Sequence, residues 1–282
     1  MIKNIIFSGG SIKGINYIGT IKYLEELNII DKLENFAGTS IGSLFCFFLI
    51  LGYTSKDLSE IFLNINIDKF RDIKSDDILN FFEIYGFDSG DKISKTLKLL
   101  LKKKLECDDI TFIDLYNKTK KNLIVVGSCL NTMSPEYFSK SNYPNMSVLL
   151  AIRISFSIPV IYKPIIFNNK YYVDGALTDN YAIHLFENNN KKTIGFVITS
   201  KDIFESEIKD IENYLLSVMF TSFNNQLKNK IDKYKDISIE IESNINSLDY
   251  SLSKEDKLDL INNGYNSTKK KILSKFSFLI NK

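Results

Sequence analysis

The sequence is poor in several residue types on which catalytic sites and covalent frameworks commonly depend. Its 282 residues contain three cysteines, one histidine, four prolines and no tryptophan. The cysteines, Cys46, Cys107 and Cys129, are odd in number, widely spaced and flanked by apolar residues. This pattern is typical of reduced thiols in a cytosolic protein and argues against a disulfide framework or a zinc site. The formal net charge of +2 is too small to indicate binding to nucleic acid.

Long apolar runs are also missing. No stretch reaches the roughly 18 apolar residues of a membrane-spanning helix. The N-terminus, M-I-K-N-I-I-F-S-G-G, lacks the charged and then apolar regions of a signal peptide. These absences predict a cytoplasmic protein. With 44% hydrophobic and 25% charged residues and no repeat, linker or composition shift, the chain is predicted to form a single globular domain over residues 1–282.

Hydrophobic spacing predicts an α/β protein. The first 51 residues read as a buried strand at Lys3–Phe7, a helix at Ile15–Leu27, a strand ending near Ala37 and a wholly apolar helix at Leu44–Leu51. Strands that alternate with helices indicate parallel pairing with helical crossovers. Residues 55–121 read mostly as helices, and the part from residue 201 to the end reads as helical. Further strands are predicted at Leu123–Cys129, Lys170–Val173, Thr193–Thr199 and, as an edge strand, Ile237–Ile241.

A candidate nucleophile lies in the sequence Gly38-Thr39-Ser40-Ile41-Gly42, between a strand and the apolar helix. A nucleophilic serine must stand clear of the backbone at a sharp strand-to-helix turn, and small residues two positions away on each side let neighbouring chain pass close. The helix that follows aims its amide groups and positive dipole end at a developing oxyanion. The alternative is a structural turn in which Ser40 caps the helix.

A second glycine turn, Ser8–Gly14 (S-G-G-S-I-K-G), also follows a strand. Consecutive glycines leave amide N–H groups pointing into a concavity that holds an oxyanion or a phosphate. A nucleotide-binding turn is therefore a rival interpretation. The segment lacks the G-x-x-x-x-G-K-[ST] spacing of a phosphate-binding loop, and no acidic residue follows clearly at the end of the next strand.

Because the chain has one histidine, a Ser-His-Asp triad would need His184. His184 lies in the amphipathic segment Tyr181–Phe186, far from the C-terminal loop where such triads place their histidine, which favours a structural role on a helix face. Asp174 is the alternative base. It ends a predicted strand before Gly175, and strand ends are where parallel sheets place their sites. Desolvation in an apolar cleft would raise its pKa and improve it as a base. A solvent-facing Asp-Gly turn remains the other interpretation.

In their order along the chain these segments resemble motifs of the patatin-like phospholipase family. That family has a glycine-rich oxyanion turn, then G-x-S-x-G, then D-G-[AG] far downstream. The resemblance spans about residues 3–200, ahead of a helical part at about 201–282, and includes the segment Ala151–Pro159 and Asn180. The matching motif residues are Gly9, Gly10, Ser11, Gly14, Gly38, Ser40, Gly42, Asp174, Gly175 and Ala176.

The resemblance implies a three-layer α/β/α sandwich with a mostly parallel central sheet. It further implies a serine acyl hydrolase that cleaves fatty-acyl esters of phospholipids or related lipids without a metal or other cofactor. Carried over by position, Ser40 is the nucleophile, Asp174 is the base and Gly9, Gly10 and Ser11 supply oxyanion amides. The family usually has a third glycine where this chain has Ser11, so a weak or inactive lipid-binding relative is the alternative.

The expected partners of such an enzyme are a lipid substrate and, transiently, a membrane surface. The lysine-rich segment Asp91–Leu105 is a candidate for the membrane contact. Its apolar positions Ile93, Leu97, Leu100 and Leu101 approximate one helix face beside lysines. That pattern is typical of an interfacial helix that carries or flanks a lid. An ordinary helix that faces the core has the same pattern.

Overall fold

The structure is a computed structural model that describes residues 1–66, 85–199, 208, 211–245 and 251–276. Its strands are β1 (Asn4–Phe7), β2 (Asn35–Thr39), β3 (Gly86–Asp88), β4 (Asn122–Cys129), β5 (Ser134–Ser139), β6 (Val160–Tyr162), β7 (Ile165–Phe167), β8 (Lys170–Asp174), β9 (Thr193–Thr199) and β10 (Ser238–Glu242). Its helices are α1 (Asn16–Glu26), α2 (Ile41–Ile50), α3 (Ser55–Asn64), α4 (Asp91–Leu105), α5 (Phe112–Thr119), α6 (Val148–Ser155), α7 (Ala176–Asp179), α8 (Ile211–Lys233) and α9 (Lys254–Lys275). Short 3₁₀ segments cover Ser11–Ile15, Ile30–Lys32 and Ile183–Lys192.

Eight of these strands form one sheet in the order β10-β9-β1-β2-β4-β8-β7, with β5 paired to β4. The five strands from β10 to β4 are parallel. The pairs β4–β5, β4–β8 and β7–β8 are antiparallel. The predicted mostly parallel α/β sheet is therefore confirmed, and the edge strand expected at Ile237–Ile241 is β10. The predictions missed β5 and β7 and the antiparallel end of the sheet that they form.

Helical layers cover both faces of the sheet. Strand β1 shows this, since successive residues of a strand point to opposite faces and contact different layers. In β1, Ile5 and Phe7 join the large core cluster that contains α1, α2 and α9. Ile6, between them, belongs to a second cluster with Leu227 of α8 and Ile183 of the last 3₁₀ segment. These are the three layers that the family resemblance implied.

Helix α2 lies inside the larger layer, and every residue from Ile41 to Ile50 is buried. A helix that is apolar all round is stable in water only when it is covered on every side. The N-terminus of α2, directly after β2, is therefore buried away from water.

Within the described residues, no helix is both long enough and apolar enough to cross a bilayer.

Candidate active site

Ser40 occupies a strained turn between β2 and α2, with φ 51° and ψ −126°. The two flanking glycines are required by close backbone contacts. A Cβ added to Gly38 would lie 2.4 Å from the amide nitrogen of Ser43, and one added to Gly42 would lie 2.3 Å from the carbonyl oxygen of Phe7. Such strain persists where surrounding packing enforces it, and it is commonly part of a functional site.

The hydrogen bonds of Ser40 do not fit a helix cap. Its side chain makes no capping hydrogen bond to α2. Instead its Oγ donates to Oδ2 of Asp174 over 2.7 Å. The Ser40 amide donates to Oγ of Ser155 over 2.8 Å, and that hydroxyl donates in turn to the carbonyl oxygen of Val126 over 2.6 Å. The backbone of the turn is thus held through Ser155, and its hydroxyl is aligned with a carboxylate.

Asp174 reaches Ser40 by a route that differs from the expected one. Asp174 was expected at the carboxyl end of a parallel strand, but β8 is antiparallel to β4. Residues 122–126 of β4 pair with β2, and residues 127–129 pair with β8. Because β5 occupies the other edge of β4, strands β2 and β8 lie end to end along one edge. Asp174 pairs with Gly127, next to the Thr39–Val126 pair, so the two strand ends bring the serine and the carboxylate together.

The environment of Asp174 is dry, and the interpretation as a solvent-facing turn is wrong. The residue is 1% exposed. Its Oδ1 accepts the amide hydrogen of Ala176 over 2.8 Å. Burial raises the pKa of the carboxyl from 3.8 to about 7, and the hydrogen bonds from Ala176 and Ser40 oppose that rise. A carboxylate with a pKa near neutrality is a much better general base than one in water.

The glycine turn at Ser8–Gly14 lies against this pair. A Cβ on Gly9 would lie 3.3 Å from Cβ of Ser40, and one on Gly14 would lie 2.3 Å from the Ile41 side chain. Ser11 has a φ of 48°, so the serine does adopt the left-handed conformation that its side chain disfavours. The Gly9 amide donates to the carbonyl oxygen of Asn180 over 3.2 Å. Of the three expected oxyanion amides, that of Gly9 is therefore engaged within the protein.

His184 belongs to a different group of side chains. Its Nε2 lies 3.2 Å from the hydroxyl of Tyr137, and its Nδ1 lies 3.7 Å from Oδ2 of Asp179. Burial lowers the pKa of the imidazole, and the charge of Asp179 partly offsets this. The Tyr137 hydroxyl also donates to Asp179 over 2.8 Å. This arrangement agrees with the structural role predicted for the histidine.

Asp179 is a residue that the sequence reasoning missed. It is 1% exposed and forms an ion pair with Lys230 of α8. Its carbonyl oxygen accepts a hydrogen bond from the Thr39 hydroxyl over 3.0 Å. Asp179 therefore ties α8 to the residue before Ser40. A sequence signal was present, since Asp179 lies five residues after Asp174 in the same motif region.

An apolar cavity opens at Ser40. Helices α2, α3 and α4 and the segment that leads into β6 contribute most of its walls. The lining includes Ile41, Leu44, Phe48, Ile61, Phe62, Ile93, Leu97, Leu100, Phe156, Ile158, Ile161 and Tyr162. Helix α4 has the predicted bounds, Asp91–Leu105. Its apolar face is turned inward, as in the core-facing interpretation, while Leu99 is 68% exposed.

A second, more polar cavity also includes Ser40 in its wall. It is lined by the glycine turn, Asp174, Asn180 and one face of α8. Both cavities include Ser11, Ser40 and Ile158 in their walls. The hydroxyl of Ser40 is thus at the junction of an apolar chamber and a polar one.

A profile of the family described as patatin-like phospholipase matches residues 5–187. A probable lipid hydrolase of Invertebrate iridescent virus 6 is 30% identical over 222 residues, which are 75% of this chain and 74% of that protein. An uncharacterised protein of Acanthamoeba polyphaga mimivirus is 29% identical over 284 residues, 96% of this chain and 94% of that protein.

Two solved structures share the fold. VipD from Legionella pneumophila superposes with a TM-score of 0.63 at 18% identity, over 97% of this chain and 67% of that one. ExoU of the Pseudomonas aeruginosa type III secretion system, solved with SpcU, gives a TM-score of 0.55 at 14% identity over 95% of this chain. This chain spans about half of ExoU, 52% of its length.

Proposed function

Because the chain belongs to the patatin-like phospholipase family, which supports a lipid hydrolase activity, we propose that it cleaves fatty-acyl esters of phospholipids or related lipids with Ser40 and Asp174 as a catalytic dyad. The observation that supports this proposal most directly is the 2.7 Å hydrogen bond from Ser40 Oγ to the buried carboxylate of Asp174. Ser40 also lines the apolar cavity.

In the acylation step, Asp174 accepts the hydroxyl proton as Ser40 Oγ attacks the ester carbonyl carbon. The carbonyl π bond opens, and its electron pair forms an oxyanion. The amides of Gly10 and Ser11 and the N-terminal end of α2 are the candidates to stabilise that charge. When the tetrahedral intermediate collapses, the C–O bond to the leaving alcohol breaks. That alcohol takes the proton back from Asp174, and the acyl group remains on Ser40.

In the deacylation step, water replaces the alcohol. Asp174 removes a proton from the water as its oxygen attacks the acyl-enzyme carbonyl. Collapse of the second intermediate expels Ser40 Oγ, which recovers the proton. The products are the alcohol released in acylation and a fatty acid. Ser40 and Asp174 return to their starting protonation states, because the serine proton that left with the alcohol is replaced by one from water. One base with a pKa of about 7 serves both steps, since it alternates between ionised and protonated forms near neutral pH.

The two cavities divide the substrate between them. The acyl chain enters the apolar cavity formed by α2, α3 and α4, because burying each methylene is favourable by ~0.8 kcal/mol. The glycerol and head group occupy the polar cavity beside the glycine turn. Pockets that are mostly apolar with a few polar groups at one end bind such amphiphilic ligands.

A fluorophosphonate probe and mixed liposomes test this proposal. The probe labels only an activated serine, so we expect labelling of the wild type at Ser40 and none of Ser40→Ala. Lipid analysis of liposomes should show release of fatty acid by the wild type and none by Ser40→Ala. Lipid binding without labelling or release would instead support the inactive relative that Ser11 suggested.

A further inference from the structure

Helix α8 has an apolar inner face as far as Leu227, and its first turns are also apolar on the opposite face. Its inner face consists of Leu216, Phe220, Phe223 and Leu227, at helical spacing. Phe220, Phe223 and Leu227 line the polar cavity with the dyad, and Leu216 is buried in a cluster with Ile158, Ile161 and Tyr162. This inner face accounts for the position of α8 over the active site.

The outer face of the first turns of α8 also carries large apolar side chains. Ile211, Tyr214 and Val218 are 67%, 51% and 54% exposed. At 100° per residue they lie on the side of the helix opposite Leu216. Between Ile211 and Leu227 the sequence has one charged residue, Glu212. We call Ile211, Tyr214 and Val218 the outer stripe.

The residues of the outer stripe take no part in the contacts that pack the inner face of α8 over the active site. A surface helix normally places polar residues opposite its buried face. The rest of α8 obeys this rule, since Lys228, Asn229 and Asp232 follow in its last turns. A grouped exposure of large apolar side chains marks an interaction site. The stripe occupies the first turns of α8, beside Leu216 and just before Phe220 and Phe223, which line the polar cavity.

We propose that the outer stripe docks on the surface of a phospholipid bilayer; this rests on the proposed function, because the substrate would then come from that bilayer. Docking through the stripe places lipid beside the helix that covers the dyad. Amphipathic helices lie in the interface in this manner, with their apolar side chains among the acyl chains.

The neighbouring helix α4 supplies charge that complements an anionic membrane. Ile93 of α4 packs in the same cluster as Met219 and Phe220 of α8. Between Asp91 and Leu105, α4 contains one acidic residue and six lysines: Lys92, Lys95, Lys98, Lys102, Lys103 and Lys104. Two neighbouring carboxylates offset part of this charge, because Lys98 and Lys102 pair with Asp108 and Lys104 pairs with Asp57. Basic groups near a membrane surface each gain on the order of 1 kcal/mol from anionic lipid. A second copy of the chain would instead bring another positive helix to the contact.

Vesicle co-sedimentation of the full chain tests the docking surface. The comparison uses wild type, the double variant Ile211→Ser with Val218→Ser, and the control Leu273→Ser. Leu273 is 50% exposed on α9, which lines neither cavity. On phosphatidylcholine vesicles with phosphatidylserine, we expect the double variant to partition about tenfold less than wild type, because two side chains lose apolar contact. The control should match wild type.

An activity ratio provides the second measurement. Hydrolysis of vesicle lipid relative to soluble p-nitrophenyl butyrate should fall in the double variant by the same factor as partition. Partition that is equal in wild type and double variant would overturn the docking proposal. So would a wild-type dimer in sedimentation velocity that the double variant abolishes. If wild type binds vesicles through the stripe yet hydrolyses neither substrate, the proposed function fails and the docking surface stands.

Discussion

Replacement of the base by its neutral isostere, Asp174→Asn, should abolish activity and stabilise the fold. The wild-type carboxyl has a folded pKa of about 7 against an ordinary value of 3.8. Ionisation of the buried group therefore opposes folding. Since each pH unit of difference corresponds to 1.36 kcal/mol, the full effect is ~4 kcal/mol. Asparagine keeps an oxygen to accept the Ala176 amide and a second polar atom facing Ser40.

The pH dependence of this stabilisation has a definite sign. A raised carboxyl pKa costs nothing below the unfolded value, where both states are protonated. The cost grows between about pH 4 and pH 7, as the unfolded state loses its proton first, and is constant above the folded pKa. The free-energy advantage of Asp174→Asn should therefore be small near pH 4 and reach ~4 kcal/mol at about pH 8.

Urea denaturation followed by circular dichroism at several pH values measures this difference. Asp259→Asn, at an exposed position on α9, controls for the loss of one negative charge. In parallel, hydrolysis of p-nitrophenyl esters should fall by at least ~100-fold in Asp174→Asn, since general-base catalysis contributes about 10²–10⁴-fold. A variant with wild-type turnover would refute the dyad. A variant that is less stable than wild type at about pH 8 would refute the argument that burial destabilises the carboxylate.

Four other predictions follow from the same geometry. The kcat/KM of the wild type should rise with pH to a plateau above about 7, since Asp174 acts in its ionised form; a profile that is flat down to about pH 5 would contradict this. His184→Ala should change ester hydrolysis by less than about threefold, whereas a histidine-dependent enzyme would lose about 10²-fold or more. Ser155→Ala removes the acceptor of the Ser40 amide and should lower the free energy of unfolding by about 1–3 kcal/mol in chemical denaturation; unchanged stability would show that the amide finds another partner. Leu100→Trp fills part of the apolar cavity and should reduce kcat/KM for long-chain esters relative to butyrate esters; an equal loss on both would argue that acyl chains bind elsewhere.

The parts of the site that depend on local sequence were predictable. Gly38 and Gly42 indicate a tight strand-to-helix turn, and the apolar run after Ser40 indicates a buried helix, because each signal lies within a few residues. The same holds for the strand that ends at Asp174. What the local pattern does not contain is the direction of that strand relative to its neighbours, and the expected parallel pairing was wrong.

One signal for that direction was nevertheless present. β7 and β8 are joined by Asn168 and Asn169, both with positive φ, 48° and 58°. Two asparagines between apolar runs favour the tight turn of a β-hairpin, which makes β7 and β8 antiparallel. Recognising the hairpin would have predicted β7, although not that β8 pairs with the end of β4.

The role of α8 was beyond local reasoning. Phe220 and Phe223 reach the dyad cavity, and Lys230 pairs with Asp179 across 51 residues of sequence. Nothing near these residues in the sequence distinguishes them from other apolar and basic positions on a helix. Their importance follows from tertiary packing alone.

Because β2 and β8 pair end to end with β4, the contact between Ser40 and Asp174 depends on the register of both strands on β4. A shift of β8 by a single residue would carry its terminal carboxylate about 3.3 Å along the strand and turn it to the opposite face of the sheet. The chain between Ser40 and Asp174 can vary in length without separating them, provided that β4 still aligns both ends. An insertion inside β8 would leave a folded sheet with an inert hydroxyl.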